Sequence, residues 1–308
     1  MIRFLLGRLA AGALVLFVVA TATFFVMHTV PGGPFDSEKN FPPEIKKNIL
    51  AKYHLDKPVH MQYLFYMRDL LRGDLGPSFK YRNRRIQEIL IDTFTVSAQL
   101  GLLALLIGVT LGVSAGVVSA IMRDSVFDRL AIFFASLGIA IPSFVLGALL
   151  IWLFAYRLEL LPPALWEGGR YMLLPALTLG LGPAAYLARL TRSSALEVLG
   201  KDYVRTARAK GLSGARVILK HVLRNSLGPV VTVIGPLTAM LVTGSFIVEK
   251  IFSVPGMGRF FITAVTNRDY PLIMGVTLVY TALIVLMNIV VDLVYTILDP
   301  RVRLGKKG

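Results

Sequence analysis

Six long apolar runs dominate this 308-residue sequence and leave few folds open to it. The runs are Leu9–Val30, Val96–Met122, Ala131–Tyr156, Tyr171–Ala188, Gly228–Val248 and Leu272–Leu298. Five of them contain no Asp, Glu, Lys or Arg, and the sixth contains only Asp292. A helix of about 20 apolar residues crosses a hydrocarbon core of ~30 Å, whereas barrel strands would alternate apolar and polar residues. The sequence therefore predicts an all-α, polytopic membrane protein with six transmembrane helices.

The composition narrows the chemistry that the chain can perform. Hydrophobic residues make up 55% of the sequence, and no cysteine is present, which excludes disulfides, zinc–thiolate sites and thiol nucleophiles. The four histidines never lie three or four residues apart, and the sequence has no G-x-x-x-x-G-K-[ST] phosphate loop. We therefore expect no catalytic residue, no metal site and no cofactor bound by this chain.

The net charge of +15 is distributed unevenly between the segments that join the runs. If the N-terminus is cytoplasmic, the inside segments hold 17 basic residues and the two short outside loops hold five. Basic residues concentrate in short cytoplasmic loops, and this rule does not govern a region as long as Pro31–Ile91. The distribution predicts that both termini are cytoplasmic, and the surplus does not indicate a nucleic-acid partner.

The runs divide the chain into four regions. These are a cytoplasmic N-terminus with the first transmembrane helix (1–30), a small extracytoplasmic segment (31–95), a five-helix core that includes a cytoplasmic loop at 189–227 (96–298), and a cytoplasmic tail (299–308). In the second region, apolar residues at helical spacing predict an amphipathic helix over Val59–Leu71. Arg84–Ile91 is predicted to lead helically into the second span.

One stretch of the second span matches a hydrolase motif. Gly112-Val113-Ser114-Ala115-Gly116 fits G-x-S-x-G, but that motif requires a strand–turn–helix context. Small residues at helical spacing allow two membrane helices to approach closely. We interpret Gly101, Gly108, Gly112 and Gly116 as such a packing face rather than as part of a catalytic site.

Polar and helix-breaking residues inside the spans each have two interpretations. Asp292, one helical turn after Asn288, costs ~2.5–3.5 kcal/mol at membrane depth and should face protein or water. Asp292 either acts as a gate or relay, or forms a structural hydrogen bond between helices near the cytoplasmic end, and we favour the structural role. Tyr295 and Asp299 lie on the same helix face. The prolines inside spans indicate either irregular helices around a passage or packing kinks; they are Pro142, Pro175, Pro183 and Pro236.

The long cytoplasmic loop contains a helix–glycine–helix pattern. Asp202–Lys210 predicts a helix, Gly211 ends it, and a second helix is predicted from Ala215 to about Arg224. Such a corner between two spans offers a protruding surface to a cytoplasmic partner, and a solvated basic face is the alternative.

This corner resembles the cytoplasmic loop of ABC-importer permeases, in which Glu-Ala-Ala, three residues and Gly precede a second helix that docks on the ATPase. Arg205, Thr206 and Ala207 stand in the first three places, and Gly211 is the glycine. Leu223 matches a later apolar position, whereas Arg224 replaces the usual proline.

The chain resembles the peptide branch of that family more closely, and this resemblance covers essentially the whole chain. Tyr203–Leu212, with Ala209 and Leu212, is similar to that branch's own version of the loop. The branch's signature after the fifth span is matched by Gly244, Ser245, Glu249, Pro255, Gly256 and Gly258. Gly76–Tyr81, with a chain that ends soon after Pro300, resembles the B-type subunit of oligopeptide importers.

The resemblance implies the type I ABC-importer permease fold in the bacterial inner membrane. It implies a permease subunit of an ATP-driven importer of peptides, with oligopeptides favoured over dipeptides or nickel. The implied partners are a second related permease, two cytoplasmic ATPase subunits that use ATP, an extracytoplasmic peptide-binding protein, the peptide and membrane lipid. The residues implied to couple to the ATPases are Arg205, Thr206, Ala207, Ala209, Gly211, Leu212 and Leu223.

Two other classes of protein fit the sequence less well. A secondary transporter usually has several intramembrane carboxylates and internal repeats, and this sequence has one such carboxylate and no repeat. An intramembrane hydrolase would need a paired nucleophile and base, and none is found.

Overall fold

The computed structural model describes residues 2–35, 43–81 and 84–298, and regular structure in these ranges is helical. The helices are α1 (Ile2–Thr29), α2 (Pro43–Lys52), α3 (Val59–Leu71), α4 (Ile86–Ile121), α5 (Val126–Ala140), α6 (Ser143–Leu150), α7 (Gly169–Leu199), α8 (Asp202–Ala209), α9 (Gly214–Val217), α10 (Arg224–Ser226), α11 (Gly228–Val242), α12 (Phe246–Ile251), α13 (Met257–Asn267) and α14 (Tyr270–Leu298). Two π-helical stretches extend α6 over Ile151–Arg157 and join α9 to α10 over Ile218–Leu223.

The predicted all-α membrane fold is confirmed, with one irregular span. Within the described ranges, five helical segments are long and apolar enough to cross a membrane, namely Leu5–Thr29, Ile86–Ile121, Gly169–Leu199, Gly228–Ile251 and Tyr270–Val290. The third predicted span is instead a pair of helices, α5 and α6, bent by 111°. The break falls at Pro142, which has no N–H to donate and whose ring clashes with the preceding turn of a helix.

The bent pair makes one crossing of the bundle. At its start, Asp128 contacts Arg192 near the C-terminal end of α7. After its end, the N–H of Leu165 donates to the carbonyl of Phe252 (2.8 Å) just before α7 begins at Gly169. A 31-residue helix such as α7 spans about 46 Å, so these contacts lie at opposite ends of it. The pair therefore reaches from one end of α7 to the other, which agrees with the six crossings that the sequence predicts.

Glycines bring α4 into backbone contact with its neighbours. A Cβ on Gly112 would lie 2.6 Å from the carbonyl oxygen of Ala184, and one on Gly116 would lie 2.5 Å from that of Ala188. Gly108 faces α7 in the same way, and Gly101 faces α11. The packing interpretation is confirmed, and the G-x-S-x-G stretch is uninterrupted helix with Ser114 exposed.

The segment between the first two spans packs on α1 through aromatic rings. The predicted helix Val59–Leu71 is confirmed as α3 with those bounds. Its Tyr63 hydroxyl lies 2.9 Å from Thr21 Oγ1, and Tyr63 and Tyr66 contact the ring of Phe24. Burial raises the pKa of Tyr66 to about 12, so this phenol stays neutral. The aliphatic side chains of the apolar face predicted for this helix are exposed rather than buried. Leu71, for example, is 85% exposed.

Candidate functional site

A cavity of about 860 Å³ lies among the membrane helices and is partly open to the molecular surface. The break between α5 and α6, the middle of α7, the end of α11 and the α12–α13 hairpin form most of its wall. Its lining includes Ile141, Pro142, Ser143, Thr178, Gly182, Pro183, Tyr186, Met240, Thr243, Gly244, Ser245, Gly258, Phe261, Thr277 and Tyr280. Of the prolines inside spans, Pro142 and Pro183 line this cavity and Pro175 and Pro236 do not, and Pro175, Pro183 and Pro236 all lie within continuous helices.

The cavity wall is uncharged. Among the described residues, its lining contains hydroxyl groups, aromatic rings and aliphatic side chains but no Asp, Glu, Lys, Arg or His. Such a wall neither repels nor traps a charged solute through a fixed charge of its own. Its chemistry fits a route for solutes that carry different side-chain charges.

Glu249 lies fully buried beside this cavity, in α12. The Ser97 hydroxyl of α4 donates to Glu249 Oε1 (2.8 Å), and the Arg259 N–H of α13 donates to Glu249 Oε2 (2.9 Å). The Met257 N–H in turn donates to Ser97 Oγ (2.8 Å). A buried carboxylate is costly unless donors satisfy it, and here donors from two other helices do so. The hydrogen bonds fasten the α12–α13 hairpin to α4.

The glycines of the predicted signature surround that carboxylate. A Cβ on Gly256 would lie 2.5 Å from Glu249 Cδ, and one on Gly258 would lie 2.7 Å from the backbone nitrogen of Phe246. Gly244 has a φ of +88° and its Cβ would clash with Glu249 Oε1.

The other two signature residues lie at the ends of the hairpin's helices. Ser245 precedes α12 and its carbonyl accepts the Glu249 N–H (2.8 Å), and Pro255 lies in the turn before α13. Ser97 could not be identified as a partner from the sequence, because 152 residues separate it from Glu249.

The predicted helix–glycine–helix corner is present, with α8 before Gly211 and α9, the π-helical stretch and α10 after it. Eleven residues assigned to the loop, 189–199, instead extend α7. The corner packs on α7 and α4 through a buried apolar cluster of Ala120, Ala195, Val198, Val204, Ala207, Val217 and Val222. Ala207 thus faces inward and Leu212 and Leu223 are partly buried, whereas Arg205, Thr206, Ala209 and Gly211 are exposed.

Gly211 ends α8 with a left-handed turn. Its φ is +77°, its N–H donates to the Arg208 carbonyl (3.0 Å), and the Leu212 N–H donates to the Ala207 carbonyl (3.3 Å). This pair of bonds is the Schellman motif, which favours glycine at the left-handed position. The backbone conformation is therefore the reason for a glycine at this position. No atom lies within 4 Å of where a Cβ would stand, so the surface at Gly211 is open.

The exposed surface of the corner is basic. Arg205, Arg208, Lys210, Arg216 and Lys220 are all exposed on it. Lys201 lies 2.9 Å from Glu197, and this hydrogen bond raises the pKa of Lys201. The lysine therefore keeps its charge at neutral pH.

Asp292 forms an interhelical ion pair near the predicted cytoplasmic end. Its Oδ2 lies 2.8 Å from Arg8 Nη2, which joins α14 to α1. This contact favours the structural interpretation of Asp292 over a gate. Asn288 is exposed, and the side chain of Tyr295 and all of Asp299 fall outside the described residues.

Comparison with known proteins places this geometry in a family. Residues 108–304 match the model for the binding-protein-dependent transport system inner membrane component, and residues 1–100 match the model for the N-terminal part of such membrane components. The chain belongs to this family. It is a multi-pass protein of the inner membrane, and the resemblance found in its sequence is confirmed.

Full-length relatives and a solved structure agree with this assignment. The chain is 46% identical over 308 residues to the dipeptide transport system permease protein DppB of Bacillus subtilis, with all of both chains covered. It is 43% identical to the oligopeptide transport system permease protein OppB of Haemophilus influenzae, with 98% of this chain and all of the relative covered. An inward-facing structure of the MetNI methionine ABC transporter matches the fold with a TM-score of 0.52 at 18% identity, covering 69% of this chain and 97% of that one.

Proposed function

We propose that the chain forms half of the passage through which an ATP-driven importer carries peptides across the inner membrane. The observation that carries the proposal is the uncharged cavity in a chain whose full-length relatives are peptide permeases. A peptide importer must pass acidic, basic and apolar side chains along one route, and a wall without fixed charges suits all three.

The partly open cavity supports a second permease as a partner. A chain that forms only half of a passage leaves its cavity open on one side, and a related subunit would close it. The other proposed partners are a pair of cytoplasmic ATPase subunits, an extracytoplasmic peptide-binding protein, and the surrounding lipid.

The cytoplasmic corner is the proposed contact with the ATPases. Its inner face packs on α7 and α4, so a force on its outer face is transmitted to α7, which borders the cavity. The chain itself has no phosphate loop, and we assign ATP binding and hydrolysis to the partner subunits. ATP binding can switch the passage between two conformations only if the ATPases make different contacts with the chain in each of them.

Reconstitution tests the proposal directly. The chain is co-expressed with the other predicted subunits, the complex is placed in liposomes with internal ATP, and the uptake of labelled di-, tri- and pentapeptides is measured with the binding protein outside. We expect uptake that stops without ATP. Faster uptake of the pentapeptide supports an oligopeptide system, and faster uptake of the dipeptide supports the alternative. Uptake driven by an ion gradient without ATP would overturn the proposal.

A further inference from the structure

A buried ion pair joins α5 to α7 near the cytoplasmic corner. Arg192 Nε lies 2.7 Å from Asp128 Oδ1, and Arg192 Nη2 lies 2.7 Å from Asp128 Oδ2, so the contact is bidentate. The carboxylate also accepts the Ser119 hydroxyl of α4 and the Asp124 N–H of the α4–α5 turn (2.9 Å). Asp128 is only 2% exposed. These donors fix the first turn of α5 against α4 and α7.

The ion pair adjoins the apolar cluster that holds the corner. Ala195 and Val198 follow Arg192 along α7, and Ala120 directly follows Ser119 on α4. All three belong to the cluster that packs against α8 and the helix after it. A displacement of the corner therefore moves the part of α7 that lies within two helical turns of Arg192.

The same two helices also border the cavity, α5 at its far end and α7 at its middle. Gly138 at the end of α5 and Gly182 in the middle of α7 are both lining residues. A Cβ on Gly138 would lie 2.9 Å from the Cβ of Ala185, so α5 also touches α7 there. Asp128 and Gly138 are separated by about 15 Å of helix. The helix α5 thus runs alongside α7 with contacts near both of its ends.

We infer that the Asp128–Arg192 pair makes α5 move together with α7, so that motion of the corner reaches two walls of the cavity at once. This inference rests on the proposed function. A buried ion pair adds little net stability over an apolar pair, because desolvation offsets the attraction. The two-pronged guanidinium contact does fix the relative orientation of the helices, which a single point contact would not. Asp128 and Arg192 are therefore positioning residues for transport.

The first test separates transport from ATP hydrolysis. Arg192→Lys keeps the positive charge and removes the two-pronged contact, and Arg129→Lys makes the same exchange at an exposed arginine beside Asp128 as the matched control. In reconstituted complexes we expect Arg192→Lys to lower peptide uptake per ATP hydrolysed by about tenfold. Hydrolysis itself and the control should stay near wild type. Equal losses of uptake and hydrolysis, or normal uptake, would overturn the inference.

The second test measures the motion itself. The chain has no cysteine, so spin labels can be placed at Phe134→Cys on α5 and Ser193→Cys on α7, in a complex whose other subunits lack cysteine. We expect the distance between the labels to be the same with and without trapped ATP in the wild-type background. In Arg192→Lys it should differ between the two states, and an unchanged distance there would contradict the inference.

A substitute variant and an independent measurement keep the inference testable apart from the proposed function. If Arg192→Lys does not insert, Ser119→Ala removes one donor to the carboxylate and is tested in its place. If the wild-type complex takes up no peptide, the proposed function fails, whereas the distance measurement still tests the pair through its response to ATP.

Discussion

Gly211 adopts a left-handed backbone conformation at an exposed position, with φ at +77°. Aspartate tolerates this conformation better than most residues, so Gly211→Asp should cost the fold ~1 kcal/mol and leave membrane insertion intact. Its carboxylate would stand on the open surface proposed to meet the ATPases. We expect peptide uptake to be abolished and co-purification of the ATPase subunits to be weakened, as measured by affinity capture in mild detergent.

Gly211→Ala is the matched variant for that experiment. Alanine carries at least the same backbone strain but adds only a methyl group to the surface. Capture of the ATPases should therefore survive better in Gly211→Ala than in Gly211→Asp. Normal transport by Gly211→Asp would show that the corner is not the coupling element.

Asp292 and Arg8 form an ion pair whose role a second substitution can decide. Removing one partner of such a pair costs more than removing both, since it leaves a charge in poor surroundings. We expect Asp292→Asn to lower the melting temperature of the purified complex by a few degrees, and Arg8→Gln combined with Asp292→Asn to recover part of the loss. Lost transport with normal assembly and melting would instead favour a gate.

The α12–α13 hairpin depends on the absence of side chains around Glu249. A methyl group at Gly256 would overlap Glu249 Cδ and Ser97 Oγ, each 2.5 Å away. Overpacking of this kind costs ~1–3 kcal/mol. Gly256→Ala should therefore lower the melting temperature and the monodisperse fraction in gel filtration. Gly169→Ala, where no atom lies within 4 Å, is the control, and an equal effect of both would argue against the packed carboxylate.

Elements whose signals lie within a few residues were predictable from the sequence. The bounds of α3 follow from apolar spacing, and the end of α8 follows from Gly211. The partners of Glu249 and Asp128 were not predictable, since 152 and 64 residues separate them from Ser97 and Arg192. Pro142 indicated a break in the third span, but the 111° bend also depends on how α6 packs against α7 and α12.

The two ends of the molecule differ in chemistry in a way that agrees with the predicted orientation. The loop at 189–227 holds nine basic and two acidic residues, and the structure gathers much of this charge on the exposed corner. The opposite end holds the α12–α13 hairpin and the aromatic contacts of α3. The basic end therefore suits the cytoplasmic side, where positive residues concentrate, and the cavity lies between the two.

Single cysteines in the cysteine-free chain test this orientation and the number of crossings together. Leu71→Cys, Leu160→Cys and Lys210→Cys place exposed thiols on α3, in the connection after α6, and on the corner. In intact spheroplasts, a membrane-impermeant maleimide should label the first two variants, and it should label Lys210→Cys only after permeabilisation. If instead Leu160→Cys were labelled only after permeabilisation and Lys210→Cys were labelled in intact spheroplasts, α5 and α6 would form a re-entrant hairpin. The helices would then cross five times, and the two termini would lie on opposite sides of the membrane.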